Sequence, residues 1–100
     1  MVMKPVSEPH VEEAAAMFKA LSDPARLQTL IILAAGERNV GELAEAEHDR
    51  VGTVSARLKV LLQARLVKRR REGKNAIYSI ADDHVFQLVK NAVAHAGEHH

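Results

Sequence analysis

From Val11 onward the apolar residues recur at helical spacing. Ala14, Ala15, Met17, Phe18 and Leu21 form one stripe, and Glu12 and Glu13 before it suit the positive end of a helix dipole. The spacing predicts a first helix over residues 10–21. Ser22-Asp23-Pro24 is a start signal, a capping residue followed by a proline whose missing N–H costs nothing in a first turn. Leu27, Leu30, Ile31, Leu33 and Ala34 continue it as a second helix to about residue 35, with Gly36 as its stop. Asn39 caps a short third helix, 40–47, that buries Leu43 and Ala44. A fourth helix, 51–64, sets Val54, Leu58, Leu61 and Leu62 inward and leaves Thr53, Ser55, Arg57 and Lys59 on its other face. Two β-prone runs, 66–70 and 76–80, flank Arg71-Glu72-Gly73-Lys74-Asn75 and predict a hairpin with a basic tip. Asp82 or Asp83 then caps a fifth helix with the stripe Val85, Leu88, Val89, Ala92 and Val93, fading near Gly97.

The expected fold is mostly α with a small β-hairpin wing. Two short helices joined by a tight turn and followed by a basic hairpin make the order of a winged helix-turn-helix, here with five helices. Residues 1–9, with two prolines and no periodicity, are expected to be a flexible tail to a single domain over 10–100. A chain of 100 residues buries a modest share of its surface, so a homodimer interface is a natural supplement. The chain has no cysteine, which excludes disulfides, thiolate metal ligands and thiol catalysis. No apolar run approaches the ~20 residues needed to cross a bilayer, and the first ten residues lack the apolar core of a signal peptide. A cytoplasmic protein without a membrane partner is expected.

The net charge of +1 hides a segregation. Between Arg50 and Lys74 stand nine basic residues and one acid, Glu72, whereas the rest of the chain holds five basic residues and twelve acids. Such a patch is the footprint of phosphate binding. In a helix-turn-helix the second helix of the pair enters the major groove, where short polar side chains reach base edges and Arg or Lys take phosphates. Thr53, Ser55 and Arg57 are therefore the candidates for groove contact, and Lys59, Arg70, Arg71 and Lys74 for the phosphates of double-stranded operator DNA.

At these residues the chain resembles the ArsR/SmtB family of metal-responsive repressors. The resemblance rests on FKALSDPARLQTLIIL (18–33), VGELAE (40–45), TVSARLKVLLQARLVKRRREGKNAIYSI (53–80) and the C-terminal helix. It departs from the family in two places. The turn before the recognition helix, often Leu-Gly-Leu-Ser, is Glu47-His48-Asp49-Arg50, and a left-handed backbone at a non-glycine residue 48 costs ~1 kcal/mol. Where many relatives carry Ser-His or Ser-Arg-His, this chain has Ser55-Ala56-Arg57, so an operator sequence does not transfer.

His84, His95, His99 and His100 crowd the last seventeen residues with Glu98, and Asp82 and Asp83 stand just before them. His84 and His95 lie eleven residues apart and share a helix face, but the helical rise separates them by about 16 Å. One zinc ion, with bonds of ~2.0–2.1 Å to histidine nitrogen, cannot hold both from one helix. An antiparallel copy of the helix with a two-fold axis near residue 90 brings His84 opposite the other copy's His95, and Asp82 opposite its Glu98. Each of two sites then takes Asp82 and His84 from one protomer and His95 and Glu98 from the other. Two nitrogens and two carboxylates suit tetrahedral zinc or cobalt. The resemblance agrees, since Asp82, His84, His95 and Glu98 match the C-terminal-helix site of the family's zinc sensors. It also implies that His95 donates its second ring N–H to the backbone carbonyl of Arg65. Nickel is the alternative metal, with His99, His100 and, at the N-terminus, His10 as extra donors.

The expected function is thus a repressor that holds operator DNA when metal-free and releases it on binding Zn(II) or Co(II). A nickel-responsive member, and a winged-helix regulator that senses no metal, are the alternatives. A hydrolytic enzyme is not expected, because four protein ligands leave no open position for water. No small organic substrate is expected either.

Overall fold

The computed structural model describes residues 1–98. Among them the chain order is α1 (Glu8–Leu21), α2 (Pro24–Ala34), β1 (Arg38–Asn39), α3 (Val40–Glu47), α4 (Val51–Gln63), β2 (Val67–Glu72), β3 (Asn75–Ile80) and α5 (Asp83–Gly97). The first helix begins at Glu8, two residues earlier than the sequence predicts. Pro9 occupies the first turn, where proline is tolerated, so the helix reaches into the segment expected to be tail.

The Ser-Asp-Pro-Ala-Arg run works as a double cap. Asp23 Oδ2 accepts from the Arg26 N–H at 2.9 Å and starts α2. Arg26 Nε turns back and donates to the carbonyl of Ala20 at 2.8 Å, satisfying an otherwise orphaned group at the end of α1. Asn39 and Glu42 form a reciprocal capping box at the start of α3. That helix ends at His48 with φ 54° and ψ 46°, the left-handed conformation that glycine adopts most readily. The Asp49 N–H then bonds the Ala44 carbonyl at 3.0 Å, and the reversal sends the chain into α4. Arg65 closes α4 with the same left-handed turn.

The sheet has the order β1-β3-β2 and is antiparallel throughout. Glu72 pairs with Asn75 across a two-residue connection, with Gly73 supplying φ 62° at its first position. The sequence predicts the hairpin but not β1, whose two residues pair with Tyr78 and Ile77. The pairing ties the α2–α3 connection to the middle of β3 in the wing.

Leu30, Leu43, Val54, Leu58, Leu61 and Leu66 are fully buried and join α2, α3, α4 and the residue that leads into β2 in one core. Each such leucine contributes about 1.5–3 kcal/mol by leaving water. α5 adds Val85 and Val89, and α1 adds Ala20. No helix of the described residues is long and apolar enough to cross a membrane.

Candidate functional site

α3 and α4 form the helix-turn-helix, and the buried stripe of α4 fixes which residues face outward. Thr53, Ser55 and Lys59 are exposed on the outer surface of α4, as the sequence pattern implies. Arg57 is placed differently. Its Nη1 lies 3.1 Å from Glu47 Oε1 and its Nη2 lies 2.6 Å from Asp49 Oδ2, leaving the side chain 18% exposed. Glu47 is the more buried partner, 5% exposed, and its Oε1 also accepts from the Thr29 hydroxyl at 2.7 Å. Thr29 is fully buried in α2, so one hydrogen-bonded chain links α2, the end of α3 and the middle of α4. Glu47 Oε2 is buried without a partner among the described residues. The Arg50 backbone N–H and the Arg57 guanidinium hold the Asp49 carboxyl below its usual range, and the Asp49 bond in turn raises Arg57.

The wing carries a second clamp. Arg70 on β2 meets Glu37 through both guanidinium nitrogens, Nη2 at 2.7 Å from Oε1, and also reaches Glu72 at 2.8 Å. The Arg70 bond holds Glu37 below the ordinary carboxylate range. Glu37 lies in the α2–β1 connection, so the clamp reinforces the β1 pairing. Arg71 and Lys74 are exposed near the wing tip. Among the described residues no acid forms an ion pair with Lys59, Arg71 or Lys74.

The four expected metal ligands sort into two pairs at opposite ends of α5. Asp82 is the N-cap, its Oδ1 accepting from the Val85 N–H at 3.0 Å and lying 3.7 Å from His84 Nδ1. His95 Nδ1 lies 3.9 Å from Glu98 Oε2. All four side chains are exposed, from 56% at Asp82 to 98% at His84. Within one chain no group of three or more potential ligands forms among the described residues. Each pair offers one imidazole and one carboxylate, a donor set that fits a borderline divalent metal once a second chain completes it. His10 is exposed on α1, remote in sequence from both pairs. Arg65 ends α4, and its guanidinium pairs with Glu13 of α1 at 3.0 Å. His99 and His100 lie outside the described residues.

Sequence reasoning misses Thr29, Glu47, Asp49 and Glu37. A signal for two of them is present, since Glu47 and Asp49 stand directly before the recognition helix and Arg57 follows within two turns on the adjacent face.

Residues 23–69 match the sequence profile of the bacterial regulatory protein, arsR family. A cadmium resistance transcriptional regulatory protein CadC homolog from Staphylococcus aureus is 35% identical over 95% of this chain and 79% of its own length. The chain belongs to the ArsR family. Another relative, a transcriptional repressor SmtB homolog from Synechocystis, is 41% identical over 87% of this ArsR-family chain. The chain spans 66% of that relative's length, just under two thirds. The solution structure of the homodimeric winged helix-turn-helix DNA-binding domain of Mb0332 from Mycobacterium bovis superposes with a TM-score of 0.88 at 37% identity. The superposition covers 97% of this chain and 93% of the Mb0332 domain, so the winged helix-turn-helix expected from the residue pattern is the fold observed.

Proposed function

We propose that this ArsR-family chain is a metal-responsive transcriptional repressor. It binds operator DNA as a homodimer when metal-free and is released when zinc or cobalt occupies two sites, each shared between the α5 helices of two protomers. The observation that carries the reading is the splitting of the donors. Asp82 with His84 and His95 with Glu98 sit about 16 Å apart along α5, each half a ligand set, on a helix whose second half is exposed all round. The homodimer of Mb0332 and the repressor and metal-resistance names of the relatives support the same reading. Nickel is the alternative, distinguished by recruitment of His99, His100 or His10.

Thr53 and Ser55 face base edges in this reading, and Lys59, Arg71 and Lys74 take phosphates. Release requires only that the arrangement of α5 helices able to bind metal differ from the arrangement able to bind DNA, with a coupling of about 1–3 kcal/mol. His95 relays the change through the carbonyl of Arg65 at the end of the recognition helix.

Mixing two variants tests the shared site. Homodimers of His84→Ala and of His95→Ala each lack an intact site. A heterodimer of the two has one doubly broken pairing and one intact pairing, so calorimetry should recover one full-affinity zinc site of the original two. No recovery on mixing means that the sites lie within single chains, and the reading fails.

A further inference from the structure

Arg57 is a cation on the outward register of α4 whose charge is already committed. Its fork-shaped guanidinium is shared between Glu47 and Asp49, at 3.1 and 2.6 Å, and Glu47 is anchored from behind by the Thr29 hydroxyl of α2. We propose that Arg57 is a positioning residue and not a reader of DNA: clamped by Glu47 and Asp49, it sets the angle of the recognition helix and makes no bond to phosphate. The inference rests on the DNA-binding reading above.

Charge compensation favours the clamped position. Glu47 is a nearly buried carboxylate with one oxygen already lacking a partner among the described residues. If Arg57 swung out to a phosphate, that carboxylate would remain in the protein with only a hydroxyl to meet its charge, which is strongly unfavourable. Asp49, held in its ionised form, would keep the Arg50 N–H at its Oδ1 but lose its counter-charge at the start of the helix nearest the DNA. Keeping Arg57 in place avoids both penalties. It also joins three helices through side chains alone, since Thr29, Glu47 and Arg57 belong to α2, α3 and α4 respectively. Rotating α4 relative to α3 would pull Arg57 from one acid or the other. The orientation of Thr53, Ser55 and Lys59 is therefore coupled to the clamp.

The test uses the full-length homodimer and a duplex of fixed arbitrary sequence, with binding followed by fluorescence anisotropy across a salt series. Each phosphate neutralised contributes about 0.9 to the slope of log affinity against log salt. Lys59→Gln should lower that slope by about 1.8 per dimer, because each protomer then neutralises one phosphate fewer. Arg57→Gln should leave the slope at the wild-type value. Glu47→Gln combined with Asp49→Asn should raise it by up to about 1.8, because two guanidinium groups per dimer become available to phosphate. A merely structural network would not produce that rise. Sequence selection from a random duplex library adds a second reading: Arg57→Gln should weaken preference across the whole half-site together.

A fall in slope for Arg57→Gln equal to that for Lys59→Gln overturns the proposal and makes Arg57 a phosphate ligand. Loss of preference at a single base pair also overturns it and makes Arg57 a reader. If the double acid variant does not fold, the Arg57→Gln slope and selection still decide. Absence of salt-dependent binding by the wild-type dimer overturns the DNA-binding reading itself, a result distinct from either of these.

Discussion

The two ends of this molecule solve the problem of a small core in opposite ways. The helix-turn-helix and wing are self-sufficient. Leu43, Val54, Leu58, Leu61 and Leu66 are buried, and Arg57 and Arg70 are locked by acids on neighbouring elements. α1 and α5 are the reverse, each buried along one edge while Val11, Phe18 and Val93 stand 53%, 59% and 45% exposed. A groove of about 230 Å³ where α1, α2 and α5 meet is lined by Phe18, Leu21, Leu27, Leu88 and Ala92. One half has its partners within the chain, and the other presents apolar surface of the kind that a second subunit covers. The proposed metal donors lie on this second half, so in that reading a signal received there must cross to the rigid half to affect DNA.

Truncating a buried leucine should give the largest effect on folding. Leu58→Ala, in the centre of α4, should destabilise the protein by about 2–5 kcal/mol in urea unfolding, through reduced burial and the cavity left behind. Phe18→Asp should instead leave the secondary structure intact and weaken self-association by more than about 100-fold, because each subunit would bring an unpaired charge into an apolar interface. Sedimentation equilibrium at a series of concentrations checks the second. If Phe18→Asp dimerises like the wild type, the exposed face of α1 is not the interface.

Acid should separate the halves less sharply. Glu37 and Asp49 have carboxyls held below their ordinary values of 4.5 and 3.8, the first by Arg70 and the second by the Arg50 N–H and then Arg57. A group whose value is lower in the folded state adds stability above its unfolded value, and that stability is lost as pH falls through the folded one. The urea midpoint of the wild type should therefore decline below about pH 4.5 more steeply than that of a Glu37→Gln, Asp49→Asn double variant. Because both groups are exposed, solvent screening keeps the difference modest. Parallel curves would show that the two clamps contribute nothing in solution.

The helices, the hairpin and the placement of Asp82, His84, His95 and Glu98 at the two ends of α5 are legible in the sequence, because each rests on a local rule. Period, capping and turn chemistry act within a few residues, and so Asn39, Asp82 and Gly73 announce their roles. What stays hidden depends on tertiary proximity. β1 is two residues long and exists only because β3 is beside it, so no periodicity marks it. The face of Arg57 on α4 predicts a groove contact, and although Glu47 and Asp49 stand close before that helix, only the fold of the turn brings both acids onto Arg57. The two departures from the family pattern, acids in the turn and arginine in the helix, meet in space as one clamp. The proposed pairing of Asp82 and His84 with a second chain's His95 and Glu98 is a third case, since it rests on helix rise and a two-fold axis and on no side-chain geometry within one chain.

The smallest effect concerns the turn itself, where the native glycine and the strained position do not coincide. His48 ends α3 with φ 54°, in a conformation that strains a residue bearing a Cβ. Gly52 lies in the first turn of α4, and a Cβ built there meets nothing within 4 Å. His48→Gly relieves the left-handed strain but loosens the unfolded chain, and the balance should be a gain of about 0.5–1 kcal/mol. Gly52→Ala should also stabilise, by up to about 1 kcal/mol, through helix propensity and a less flexible unfolded chain. His48→Ala keeps the strain and should show no gain. Thermal unfolding of the three variants decides it. If His48→Gly and His48→Ala melt together, the chain does not hold the left-handed turn in solution, and the geometry that brings Glu47 and Asp49 to Arg57 would have to arise in another way.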